Sequence, residues 1–600
     1  MNIAITGEGI ICAIGADKAS VLESLRCRKT GIASMRFLPS QHRELPVGEV
    51  KLSDDEMKSL LGIDPSLEVS RTALMGMVAV GQALEDTHLL NPDSFRRERI
   101  VLISGTTVAG MDVTERHFTE MRTKDDHLSC MHYHSCGDNT RRIAEHFGRF
   151  SEYTTVSTAC SSAANALILG AEMLKAGEAD IVVAGGTEAL SVFHLNGFNS
   201  LMILDKEHCR PFDETRQGLN LGEGAAYVVM ESEEHARQRQ ASVHAFLNGY
   251  GNACDAFHQT ASSENGEGAC LAMQEALDRA GLKATDIDYV NAHGTGTPNN
   301  DLSESVALRR VFGSKMPPVS STKGFTGHTT SASGSIEAVI CLLAMRHGFL
   351  PANLGLKQPM ADGIIPTRGE DHARLRHVLC NSFGFGGNDS SLLLSVDPLP
   401  TGRSHGGQAL EAETSEPVTM TPKTVELARI EISSDDDLSE IREYVKPLEA
   451  RRMGKLMKAS LLSSLKALKQ AGIDCPDAII TGTSLGCWEN TEALLTQIEQ
   501  EGEVMLSPTN FMQSTHNTIG SNIAIRTGCH GYNITYTQRD DSLEWALRDA
   551  CRQLRSGRCR TVLVGCHDET TPLYRSLMAR LGVTGLPSIH SIAIVLAIDH

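Results

Sequence analysis

The chain has 600 residues, 41% of them hydrophobic and 22% charged, with a formal charge of −19 at pH 7. That balance excludes a general nucleic-acid binder, which needs a basic face, and no stretch reaches the roughly 20 uninterrupted apolar residues of a membrane helix. The length calls for more than one domain, the amino terminus MNIAITGEGIICAIG lacks the basic start of a secretory leader, and sixteen scattered cysteines suit reduced thiols in the cytoplasm.

Residues Asn2–Ile5, Ile100–Ile103, Ile181–Val183 and Ala226–Met230 are apolar strand candidates, and helical periodicity runs between them, as in Ala163–Leu174. The alternation predicts an α/β fold over residues 1–397. Gly7-Glu-Gly9 opens no dinucleotide loop, because Cys12 stands where the third glycine would be. Cys130-Met-His-Tyr-His-Ser-Cys136 places two cysteines and two histidines within seven residues. On a strand all four share one face, yet the spacing matches no standard zinc site, and the segment reads as a polar, partly buried loop.

Four segments carry chemistry. In Val156-Ser-Thr-Ala-Cys-Ser-Ser-Ala-Ala-Asn-Ala-Leu167 a cysteine follows a short apolar strand and opens a helix among small residues. A helix start favours negative charge, hence a thiolate at Cys160, and the Cys160 N–H can face an oxyanion. In Asn291-Ala-His-Gly-Thr-Gly-Thr-Pro298 a histidine enters a Gly/Thr loop after the apolar strand Ile287–Val290, with Asp301 nearby. Its threonine hydroxyls suit a polar ligand tail. Ser321-Thr-Lys-Gly-Phe-Thr-Gly-His328 and Ser331-Ala-Ser-Gly-Ser-Ile-Glu337 bring a lysine, a histidine and a carboxylate into one loop and the following helix start. Asn381-Ser-Phe-Gly-Phe-Gly-Gly387 is a glycine-rich turn with two phenylalanines. Taken singly, each has a structural reading: an inert buried cysteine, a satisfied histidine, a solvated loop, a tight turn.

From Pro398 the composition turns to Pro, Gly, Ser, Thr and Glu, which marks 398–424 as a linker. A second α/β region over 425–600 repeats the first. Leu174, Gly177, Val182 and Gly185 recur 380 residues later as Leu554, Gly557, Val562 and Gly565, and the register holds without a gap from about 143 to 188. The copy ends where the first has reached only half its length. At the position of Cys160 it holds Asp540, within Thr537-Gln-Arg-Asp-Asp-Ser542. Ser434-Asp-Asp-Asp437 reads as a helix start with serine as N-cap. A half unit needs a cover for its open face, from the first domain, a second subunit or another protein.

Together the four segments resemble the β-ketoacyl-acyl-carrier-protein synthases of the thiolase superfamily, most closely the elongating KAS II type, over residues 1–397. Arg210-Pro-Phe-Asp213 and Gly222-Glu-Gly224 match the same family. The resemblance implies a layered αβαβα thiolase-like fold, followed by a truncated thiolase-like half-domain. It implies Cys160 as acyl-accepting nucleophile, with His293 and His328 as donors to the malonyl thioester carbonyl. Lys323 is then the active-site lysine, Glu337 its ionic partner and Phe385 the gate whose N–H completes the oxyanion hole; Thr295 and Thr297 contact the phosphopantetheine arm. The segment 130–136 is placed near a dimer interface and the acyl pocket. No metal or organic cofactor is implied. Partners are an acyl carrier protein, met through a local basic patch, and a second copy in a homodimer. Two departures bear on chain preference and gating: Gly386-Gly-Asn-Asp389 replaces the usual GGTN, and Thr329-Thr-Ser-Ala-Ser-Gly334 is more polar than usual.

Residues 425–600 resemble the β-ketoacyl-synthase-like domain found beside aryl-polyene and flexirubin-type gene sets, which His516-Asn517 fits. The expected reaction is decarboxylative condensation of a Cys160-bound acyl group with malonyl-acyl carrier protein, giving 3-oxoacyl-acyl carrier protein and CO2. The pathway is fatty-acid elongation or specialised polyene-type lipid synthesis, favoured toward the latter by the fused silent copy. A non-catalytic, chain-length-factor-like scaffold is the competing reading, preferred for the second region. A coenzyme A thiolase is the third, and absence of malonyl decarboxylation would identify it.

Overall fold

The computed structural model describes residues 1–90, 98–124, 127–400, 423–434, 436–451 and 453–599. The linker assigned to 398–424 falls almost wholly outside them. Ten strands form before it: β1 (Ile3–Cys12), β2 (Ile100–Gly105), β3 (Glu152–Val156), β4 (Ile181–Glu188), β5 (Gly224–Ser232), β6 (Ala245–Cys254), β7 (Tyr289–Asn291), β8 (Val319–Ser320), β9 (His377–Gly384) and β10 (Asn388–Ser395). Five follow it: β11 (Thr424–Ser433), β12 (Ala478–Gly482), β13 (Tyr532–Tyr536), β14 (Thr561–Glu569) and β15 (Ile589–Ile598). They pair in the order β11-β15-β14-β12-β13-β3-β2-β4-β5-β1-β6-β10-β9-β7-β8.

That order contains one five-strand pattern three times. In β3-β2-β4-β5-β1 the first two pairings are parallel and the last two antiparallel. The orders β13-β12-β14-β15-β11 and β8-β7-β9-β10-β6 have the same senses. The copy after the linker is legible in the sequence; the one formed by β6 to β10 is not, because its residues keep no fixed offset from the others. Several strands, β4, β9 and β10 among them, are buried on both faces, as layers covered on both sides require.

Helices Ser162–Lys175 and Ser333–His347 lie between the first and third five-strand units and share one apolar core with both. Helix Arg71–Asp86 covers the outer face of the first and helix Glu267–Ala280 that of the third. This is the layered αβαβα arrangement expected. The helix Ser162–Lys175 is buried from Ser162 to Leu174 because it has a sheet on each side.

The second unit has helix Lys455–Ala471 on one face and helix Ser542–Arg555 on the other. Among the described residues no further sheet covers the latter, and its sequence has changed to match. Trp545, Ala546, Ala550 and Leu554 face the strands, whereas Glu544 and Arg555 are exposed and Arg548 and Cys551 half-buried. The open face expected to need a cover is thus made polar along this helix.

The two units meet edge to edge. β13 pairs antiparallel with β3 at Tyr536 and Val156. Backbone bonds run from Ser157 N to Thr535 O and from Thr537 N to Thr155 O, both 2.9 Å. Arg552 reaches across to Glu178 at 2.8 Å.

Three local expectations are corrected. Residues Leu128–His134, read as part of a polar, partly buried loop, form a largely buried 3₁₀ helix, and Cys136 starts an α-helix. Asp437, not Ser434, caps the turn that follows, accepting a bond from Ser439 N. Residues before β7 turn as a 3₁₀ helix at Ala284–Asp286, so that strand begins at Tyr289.

Candidate active site

Cys160 sits in a one-turn 3₁₀ segment, Ala159–Ser161, between β3 and helix Ser162–Lys175. Ala159 has φ of +52°, a left-handed conformation costly for a residue with a Cβ. Ser162 Oγ secures the turn by accepting Thr158 N at 2.9 Å. The second unit builds the same turn: Arg539 has φ of +54°, and Ser542 Oγ accepts Gln538 N at 2.9 Å. At its apex stands Asp540, which is exposed. The backbone turn that presents Cys160 is kept, and the cysteine is not.

Around Cys160 the structure gathers His293, His328, Lys323, Glu337, Phe385, Thr295 and Thr297. His328 Nε2 lies 3.1 Å from Cys160 Sγ. The His293 and His328 rings are 5.3 Å apart and nearly perpendicular. The backbone N–H groups of Phe385 and of Cys160 itself are directed at the sulfur. Behind His328, Lys323 Nζ meets Glu337 Oε1 at 2.5 Å, with both side chains buried. Thr295 and Thr297 hydroxyls are 2.8 Å apart and line, with Cys160, His293, His328 and Asp389, a cavity of about 420 Å³. Phe385 stacks on Phe198 at 5.7 Å between that cavity and a smaller one of about 30 Å³ beyond the cysteine.

Burial dominates the electrostatics. It pushes the Cys160 thiol up to about 11, against the opposing pull of Lys323 and the two backbone N–H groups. A helix start therefore does not make the resting group a thiolate here: the desolvation of a 5%-exposed sulfur outweighs it. Burial, reinforced by the Lys323 charge, holds both His293 and His328 well below the usual imidazole range. Both rings are neutral at pH 7, each able to donate from one nitrogen and accept at the other.

Side chains beyond the predicted set complete the site. Glu304 accepts His293 N and Gly294 N at 2.8 and 2.7 Å, fixing the histidine loop. Ser333 Oγ lies 3.0 Å from His328 Nδ1. Ser331 Oγ donates to Glu188 at 2.6 Å. The polar stretch after His328 thus supplies two hydroxyls to the site's surroundings. Asp389, at the cavity, is held well above the carboxylate range by burial and by Asp255 and Glu304.

The second unit enters the site as well. Phe511, Ser514 and Thr515 line the smaller cavity with Cys160 and Phe385. Phe511 packs so closely on Gly197 that a Cβ there would stand 2.1 Å from its ring. No local signal marks these residues; only the join brings them within reach.

Cys130 does not converge with His132, His134 and Cys136. It lies near His117 and His127, whose rings stack at 4.0 Å and 11°. Parallel rings aim their nitrogen lone pairs along separate planes, unlike ligands meeting at one ion. His134 and Cys136 instead face the second unit, His134 against Trp488 at 4.4 Å and Cys136 against Thr537. Among the described residues no helix is long and apolar enough to cross a membrane.

Comparison with known proteins adds three findings. The beta-ketoacyl synthase N-terminal domain family matches residues 1–236 and again 410–585, and the C-terminal domain family matches 244–357. A 3-oxoacyl-[acyl-carrier-protein] synthase 2 of Vibrio cholerae is 31% identical over 410 residues, 65% of this chain and 98% of its own. Among solved structures, a ketosynthase in complex with its chain length factor from Xenorhabdus doucetiae is 30% identical, covering 66% of this chain and 98% of its own with a TM-score of 0.57. A PfaC keto synthase-chain length factor covers 100% of this chain and 78% of its own with a TM-score of 0.81; at 17% identity it speaks to the fold alone.

Proposed function

This chain belongs to the β-ketoacyl synthase family, and on that footing we propose that Cys160 carries an acyl group which the enzyme condenses with malonyl-acyl carrier protein, giving 3-oxoacyl-acyl carrier protein and CO2. The observation that carries the reading is one sulfur faced by two backbone N–H groups and a neutral histidine 3.1 Å away, with a second neutral histidine adjoining.

In acyl transfer the Cys160 thiol attacks the thioester carbonyl. The S–H proton passes to His328 Nε2 and on to the departing carrier thiolate. The carbonyl oxygen, negative in the tetrahedral intermediate, is met by the N–H groups of Cys160 and Phe385. In condensation the malonyl C–CO2 bond breaks and its electron pair becomes an enolate, whose oxygen accepts from the His293 and His328 N–H groups. The enolate carbon attacks the Cys160 thioester, and the cysteine leaves as thiolate. His328 Nε2 must accept in the first step and donate in the second. Ser333, a hydroxyl that both donates and accepts, matches either tautomer. Burial, reinforced by the charge of Lys323 that Glu337 balances, keeps the histidines neutral. Thr295 and Thr297 take the pantetheine arm.

Residues 1–397 form this enzyme, 398–424 connect, and 425–600 are a catalytically silent half unit. Asp540 cannot form a thioester, and no histidine pair accompanies it. The likeness to a ketosynthase paired with a chain length factor, together with Phe511, Ser514 and Thr515 at the inner cavity, supports a second role. The silent unit closes the acyl pocket from the side where the resemblance placed a second subunit. One chain then completes one site, and any homodimer forms through another surface. A specialised lipid or polyene pathway, in the cytoplasm, fits a synthase carrying its own pocket wall.

Cys160→Ala is expected to give no acyl-enzyme by mass spectrometry after incubation with acyl-acyl carrier protein. Cys160→Gln is expected to retain malonyl-acyl carrier protein decarboxylation. Acyl transfer to another residue in the first variant, or an inert second variant, overturns the reading.

A further inference from the structure

The turn that offers Phe385 N–H to Cys160 is held from outside its own unit. Asn517, buried at the start of helix Thr518–Thr527, donates through Nδ2 to Phe385 O at 2.8 Å and to Asn388 Oδ1 at 2.6 Å. Asn388 in turn donates to Asn533 O, on β13, at 3.0 Å. Between these anchors Gly386 has φ of +85° and donates its N–H to Gln259 O at 2.7 Å. A Cβ on Gly386 would stand 2.0 Å from Ser521 Oγ and 2.9 Å from Asn517 Nδ2. The silent unit therefore grips both ends of a turn whose glycines would otherwise leave it free to rotate.

We propose that Asn517 of the silent unit is a positioning residue for the oxyanion hole, holding the Phe385 carbonyl and the Asn388 side chain so that the Phe385 N–H stays directed at the reacting carbonyl. This rests on the condensing reading above and deepens it, since the half unit then acts on the rate of acyl transfer as well as on pocket shape. Oxyanion donors act only when they are preorganised, and losing one costs on the order of 10²–10³ in rate. A donor that is loosened and not lost should cost about ten- to a hundredfold by the same argument. Decarboxylation depends on the two histidines, which Asn517 does not touch, so the two half-reactions should separate.

The test uses the full chain. Asn517→Ala and the isosteric Asn517→Asp, which has no N–H to give, are expected to slow acylation of Cys160 by acyl-acyl carrier protein about ten- to a hundredfold, in kcat with little change in KM. Both substitutions, placed in a Cys160→Gln chain, should leave malonyl-acyl carrier protein decarboxylation unaltered. Arg552→Met weakens the join at a distance from the turn and should leave acylation unchanged. Equal loss of both half-reactions, full acylation by Asn517→Asp, or an equal loss from Arg552→Met refutes the proposal. Failure of the unsubstituted chain to acylate Cys160 at all refutes instead the condensing reading on which it stands.

Discussion

Replacing Glu337 by glutamine removes one charge of a buried pair and leaves the other in place. Lys323 and Glu337 are 1% and 3% exposed at the side chain, with 2.5 Å between Nζ and Oε1. No other acceptor lies within hydrogen-bond reach of Nζ among the described residues. Breaking such a pair by removing one member costs about 3–5 kcal/mol, because the survivor is a charge without water or partner. The chain can reduce that cost by releasing the Lys323 proton, and the release has a signature at the site. The Lys323 charge pulls the Cys160 thiol downward and depresses both histidines. Once it is neutral, the thiol rises further and the histidines move back toward the ordinary imidazole range. Two readouts follow. In denaturant titrations Glu337→Gln should lose about 3 kcal/mol or more at pH 6. In the pH profile of decarboxylation, the acid limb set by protonation of the histidines should move to higher pH. The double substitution Lys323→Met with Glu337→Leu should restore most of the stability and none of the acylation. A Glu337→Gln chain as stable as the parent at pH 6, with an unshifted acid limb, refutes the account.

Further outcomes follow from the same geometry. Phe511→Ala empties a buried ring between Gly197 and Phe198, should cost about 3–5 kcal/mol, and should lengthen the acyl products seen by mass spectrometry; an unchanged product length refutes its role as pocket wall. Asp540→Cys should acquire no acyl group while Cys160 is labelled in the same sample, because the position is exposed and lacks histidines; a labelled peptide containing residue 540 would contradict this. Acid should open the join, where burial holds His134 at about 3 and His516 at about 4. Both folded values lie below the unfolded one, so this stability is present above about pH 6.5 and is lost as pH falls through those values. Glu115 and Glu304, raised to about 8 and about 7, work in the opposite sense within the first unit, so the measurement is hydrogen exchange of residues 515–527 between pH 7 and 4. Uniform protection over that range would rule the mechanism out.

The elements legible in the sequence are those whose local pattern and tertiary role agree. The apolar runs at 100–103 and 181–183 lie in β2 and β4 because strands covered on both faces must be apolar throughout. The gapless offset of 380 reappears as β3 and β13, the two nucleophile turns and the helices Ser162–Lys175 and Ser542–Arg555. Residues 130–136, read as a loop, have a physical reason for turning instead: alternation over seven residues is too short to fix a period, and contacts such as Gly110 N to Tyr133 O select a 3₁₀ turn. The helix Ser542–Arg555 shows the opposite case, since its polar outer face was present in the sequence and takes its meaning from the fold, where no sheet among the described residues lies above it.

The sequence by itself determined which residues are candidates for condensation chemistry, and that the second copy holds Asp540 in place of Cys160, because each motif is contained in a few consecutive residues. The strained turn at both apices was seen only in the structure, although the Ser162 and Ser542 bonds that hold it are local. Only the tertiary structure decided that the site is finished by residues some 350 positions away. Asn517 reaches Phe385, and Thr515 reaches the cavity beyond Cys160, because β13 pairs with β3 and brings one unit's helix starts against the other's turns. Short polar side chains such as these carry no sequence signature of function; their meaning comes from which backbone they meet, and edge-to-edge strand pairing settles that.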